Sequence, residues 1–146
     1  MLMVSTGYST AILGPQSFAE IFNGGTLHVY AGTRPVSANA QASEAMRLAS
    51  IVRIGMDGGL MFAQAGPYIL IPPGDWWQLL ATNAGLAAWF RLMTATDTGV
   101  ANFTDARIDG DIGSPAAPAE LVLQTSALAA GTAVPIDSFL FTIPPA

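Results

Sequence analysis

A single histidine, three closely spaced aspartates and two adjacent tryptophans are the side chains best suited to chemistry in this chain. His28 would have to supply the base of any Ser-His-Asp site, but no Gly-x-Ser-x-Gly nucleophile elbow is present. Its place in the alternating run "TLHVYA" gives it a structural or surface role instead. Asp105, Asp109 and Asp111 fall in "DARIDGDIG", where several oxygens could suit calcium. The EF-hand spacing with its terminal glutamate is missing, so the stretch reads as a solvated turn rich in Asp and Gly. Asp57 and Asp75 each sit beside glycine and read as turn residues too. No two carboxylates can be named a glycosidase pair, because spacing along the chain does not fix their separation in space. "NGG" at 23–25 and "DGG" at 57–59 are turn chemistry rather than phosphate cradles. No catalytic, metal or cofactor site assembles from these residues, and the expectation is a protein that is not an enzyme.

Trp76 and Trp77 differ in kind from these polar candidates. Neighbours on a strand point to opposite faces, so one indole enters the core while the other faces outward. An outward tryptophan is a common anchor of a protein interface, and a carbohydrate platform is its alternative use.

Composition bears on what such an anchor would meet. The chain has 146 residues, 51% hydrophobic and only 10% charged, where a typical globular domain has about 25% charged. All five basic residues are arginine, and lysine is absent. A free monomer is normally covered in solvated charge, so much of this surface is expected to be hidden against other subunits. A net charge of −5 with no basic cluster argues against a nucleic-acid role. The uncharged stretches 1–19 and 76–90 are too polar or too short to span a bilayer, and the first lacks the basic start of a signal peptide. The lack of that start also counts against a secreted, non-viral β-domain. Without cysteine there are no disulfides, thiolate metal sites or thiol nucleophiles.

The elements that must position these side chains are mostly strands. Residues 15–22 form the one expected helix, opened by Pro15 and closed by Asn23-Gly24-Gly25. Strands are expected at 26–31, 47–54, 60–63, 68–71, 77–81, 87–94, 102–108, 121–124 and 139–143, with Pro135 in the break before the last. Residues 33–45 are a long loop of small residues with a helical turn near 42–46. Short strands punctuated by Gly, Pro and Asn predict an all-β fold, an antiparallel sandwich or barrel. The organisation expected is an N-terminal arm over residues 1–14 and a single domain over 15–146.

The order of these features resembles a known group. "LHVYAGTRPVSANAQASEA" leads to "LASIVRI" and "GGLMF", then to "AGLAAWFRLMT", "RIDGDIG" and the final "ELVLQTSALAAGTAVPIDSFLFTIP". This series, from about Phe18 to the C-terminus, is similar to small virion structural proteins of tailed bacteriophages, the capsid cement or decoration proteins. The resemblance implies a jelly-roll-like antiparallel β-sandwich with one short N-terminal helix. It also implies a homodimer or homotrimer that binds the major capsid protein on the capsid exterior. It carries no catalytic residues. The interface residues expected are Trp76 and Trp77 as anchors, with Tyr30, Arg34 and Pro35 at the entrance of the 33–45 loop. Arg34 is chosen because a guanidinium can pair with carboxylates in a partly dry contact. A neck, tail or fibre component is the alternative virion role, and a carbohydrate-binding module or small hydrolase the alternative from another class.

Overall fold

A computed structural model describes residues 2–55 and 58–144. The Asp57 turn expected from sequence lies outside the described residues. The strands are β1 (Met3–Val4), β2 (Thr26–Tyr30), β3 (Arg47–Arg53), β4 (Ala63–Ala65), β5 (Tyr68–Leu70), β6 (Trp77–Ala81), β7 (Gly85–Leu86), β8 (Trp89–Met93), β9 (Arg107–Gly113), β10 (Leu121–Leu123), β11 (Ala127–Leu128) and β12 (Ala133–Thr142). Two helices, α1 (Thr6–Leu13) and α2 (Phe18–Phe22), precede β2.

The fold is all-β, and its strands close on themselves. Pairing runs β9-β8-β2-β3-β6-β12-β10 and returns from β10 to β9, which makes a closed barrel of seven strands. Every pair around it is antiparallel except the β10–β9 seam, which is parallel. This corrects the expected jelly-roll-like antiparallel sandwich. Two packed sheets would leave four edges, whereas here β9 is bonded on both sides and the seam removes the edges. The ten residues of β12 make this possible by serving three partners, β6 at one end, β10 in the middle and β5 at the other. Pro135, expected in a break, lies inside β12 opposite Gln78.

Alternation sets which residues enter the barrel. Leu27 and Val29 of β2 oppose Leu92 and Phe90 of β8 and are fully buried, while His28 opposes Arg91 on the outer face. Phe139 lies at the centre, with ring centroids 5.3 Å from Trp77, 5.7 Å from Phe90 and 5.1 Å from Phe141. Gly110 of β9 faces inward opposite Phe90. A Cβ there would stand 2.4 Å from the Phe90 ring, so the aromatic residue occupies the space that glycine leaves.

Besides the helical turn near 42–46, seen at Glu44–Met46, one helix was expected, and two α-helices are present among the described residues. Ser17 caps α2, whose Phe18 and Phe22 pack on Phe62, Phe141 and Tyr8. α1 escapes a pattern reading because "TGYSTAIL" mixes poor helix formers with no sustained apolar stripe. Tertiary contacts hold it. The Ser5 hydroxyl accepts from Tyr8 N, donates to Asp105 O and accepts from Arg107 N, and the Tyr8 hydroxyl donates to Pro144 O at 3.1 Å. With β1 paired to β9 and Tyr8 in the core, the first residues are built into the domain and do not form a separate arm. No helix among the described residues is long and apolar enough to cross a membrane.

Candidate functional site

"RIDGDIG" is strand β9, with Arg107, Asp109 and Asp111 on its outer side. This corrects the reading of a solvated turn. The glycines and aspartates look turn-like in isolation, but each outward side chain has a partner from another element. Asp109 is fully buried and receives Arg91 from the adjacent strand through two bonds of 2.7 and 2.9 Å. Arg107 is likewise buried and grips Asp97 at 2.7 and 2.8 Å. Asp111 meets Arg34 at 3.6 Å. The three aspartates therefore do not converge on one point: Asp105 accepts from Asn102 instead.

The long loop supplies the cover over this polar layer. Residues 33–46 fold back as a strap across the outer face of β2, β8 and β9. Arg91 Nη1 donates to Ala40 O at 2.6 Å, and Arg107 Nη1 approaches Ala38 O and Asn39 O at 3.4 Å. Asn39 also exchanges hydrogen bonds with Thr6, which ties the strap to α1. Beneath it, Tyr30 stacks on Trp89 with centroids 4.4 Å apart, and Ala42 closes this small second core. Burial and the nearby Glu44 carboxylate push the Tyr30 hydroxyl up to about 12.

The interface residues expected from sequence therefore separate. Tyr30 is buried under the strap, and Arg34 is engaged with Asp111 inside the chain. Pro35 is half-buried, and the neighbouring Val36 stands 98% exposed. Of the two tryptophans, Trp77 is 3% exposed in the barrel core, whereas Trp76 is 74% exposed. The alternation argument thus holds for the pair, and only Trp76 offers a surface. Trp77 Nε1 and Trp89 Nε1 are buried with no hydrogen-bond partner among the described residues.

Trp76 borders an apolar groove of about 580 Å³ formed with Ile54, Pro72, Pro73, Pro135 and Ile136. Asp75 at its edge is clamped by Arg53 at 2.8 and 3.2 Å, so it is a paired carboxylate and not a free turn residue. Each of the five arginines is in fact ion-paired within the chain, Arg47 with Glu44 at 3.3 Å. Scarce charge is spent inward, while Trp76, Phe103, Leu86, Leu13 and Val36 are exposed.

A second recess, of about 260 Å³, opens beside the strap and is lined by His28, Tyr30, Glu44, Arg47, Arg91 and Asp97 among others. His28 Nδ1 lies 3.1 Å from Arg47 Nη1. Burial, and then the Arg47 charge, hold the imidazole below its usual value. Asp97 feels opposite influences: burial would raise its carboxyl, but the bonds from Arg107 and Gly99 N–H keep it below the ordinary range. Sequence reasoning missed Arg47, Arg91, Asp97 and Glu44 as members of one recess. Pairing of β2 with β3 and β8 brings Arg47 and Arg91 beside His28, and the strap and the loop after β8 add Glu44 and Asp97.

The chain has no significant match to any protein-family model, to any curated protein or to any solved structure.

Proposed function

We propose that this chain is a structural protein of a phage virion. In this reading it binds the capsid exterior and stabilises the shell by bridging major capsid protein subunits, itself as a homodimer or homotrimer. The observation that supports this most is the groove beside Trp76. A 74% exposed indole next to Ile54, three prolines and Ile136 is an apolar surface without a cover among the described residues, on a chain whose arginines are all paired internally. Exposed aromatic anchors of this kind concentrate the energy of protein interfaces. A subunit that binds the assembled lattice and not its dissociated parts shifts the equilibrium toward the shell by linkage. Repetition over a symmetric lattice lets each contact be weak.

The test compares shells assembled with and without the chain. Complete shells should resist heat and chelation better, and Trp76→Ala should bind them less while folding normally. Equal robustness of the two kinds of shell would remove the stabilising role. Copy number separates this from a neck, tail or fibre component: hundreds per particle support cement, a handful to dozens support the alternative. The same exposed indole favours carbohydrate binding as a second reading. A glycan array showing binding that disappears in Trp76→Ala would support it.

A further inference from the structure

We propose that the recess beside His28 binds a carboxylate group, held by Arg47 together with the His28 Nε2–H and the Tyr30 hydroxyl.

The groups left uncommitted in this recess are mainly donors. A guanidinium can only donate, so the 3.1 Å contact from Arg47 makes His28 Nδ1 the acceptor and leaves the proton of the neutral ring on Nε2. Tyr30 is 2% exposed, and among the described residues its hydroxyl has no hydrogen-bond partner. The hydroxyl opens to the recess, where a ligand oxygen can accept from it in place of water. Its proton stays on at physiological pH, so it donates. The deeper charges are already cancelled, Arg91 by Asp109 and Arg107 by Asp97.

Arg47 is the cation free to exchange partners. Its side chain is over a third exposed, and its contact with the more exposed Glu44 is 3.3 Å long. Exposed pairs of this kind contribute little, so Glu44 acts as a replaceable internal carboxylate on the fork that a ligand would take. A carboxylate matches that fork, whereas a phosphate dianion would bring two charges to one exchangeable cation beside Glu44. Water in the liquid occupies about 30 Å³ per molecule. A recess of about 260 Å³ therefore has room for a short-chain acid or for an acidic side chain presented by another protein.

His28 is the only histidine, so its ring C–H resonances report on the recess without ambiguity. Succinate, a blocked glutamate peptide and phosphate are titrated into the intact protein at constant ionic strength. The expected result is a saturable His28 shift with succinate or with the peptide, whichever is tighter naming the source. Glu44→Gln should tighten the binding. Tyr30→Phe should weaken it, and Arg47→Gln should weaken it roughly tenfold, the loss of one charge-assisted contact. Should Arg47→Gln fail to fold, the opposite responses of Glu44→Gln and Tyr30→Phe still decide. A non-saturating shift, a response to phosphate equal to that to succinate, or affinities indifferent to Glu44→Gln and Tyr30→Phe would overturn the proposal.

Discussion

Arg91 and Asp109 stand directly opposite each other on β8 and β9, bonded at 2.7 and 2.9 Å and without solvent exposure, although both lie on the outside of the barrel wall. The strap makes this possible. By covering the outer face and accepting from Arg91 through Ala40 O, it turns an exterior position into an interior one. A small closed barrel normally has one core. This chain has a second layer, held by ion pairs and by the Tyr30–Trp89 stack.

Asp109→Asn should therefore destabilise the fold by about 3–5 kcal/mol, because it leaves the Arg91 charge buried without its counter-ion. Urea denaturation measures the loss. Replacing both partners by apolar residues of similar volume, Arg91→Met with Asp109→Leu, should recover most of it.

Two groups set the acid side of the stability profile. Asp97 is held below its usual value of 3.8, so the stability it contributes is complete above 3.8 and is lost as pH falls through its lowered folded value. His28 is held below its usual 6.5. Above 6.5 the ring is neutral in both states and contributes nothing. Below it the unfolded chain takes up a proton that the folded chain refuses, so stability declines until the folded ring also protonates. Melting temperatures against pH should show that His28→Gln removes the slope just below 6.5. Asp97→Asn should start lower at neutral pH and lose less below 3.8.

Gly110→Ala should cost about 1–3 kcal/mol, since the added methyl must displace the Phe90 ring from a packed interior. The double change Gly110→Ala with Phe90→Leu should cost less than the sum of the single changes, which thermal unfolding of the three variants would check.

The adjacent tryptophans should answer to different assays. Trp77→Ala should lower stability by about 3–5 kcal/mol through loss of core packing around Phe62 and Phe139. Trp76→Ala should leave stability within about 0.5 kcal/mol and affect only what the groove binds. Equal effects of the two changes on unfolding would contradict the assignment of one indole to each side.

Local pattern by itself determined much of the framework. Period-two alternation placed β2, β3 and β6 within about a residue of their ends, set the 33–45 segment apart as irregular, and required Trp76 and Trp77 to point opposite ways. These are properties of neighbours along the chain, where sterics and alternation act. What the strands pair with was decided elsewhere. The parallel β10–β9 seam that makes a barrel instead of a sandwich joins segments with no local signature of their meeting. "RIDGDIG" looked like a turn because the partners that neutralise it, Arg34, Arg91 and Asp97, come from other elements of the fold. The His28 recess has the same origin. A buried charge is tolerable only beside its counter-ion, and tertiary contact alone determines which residues those are.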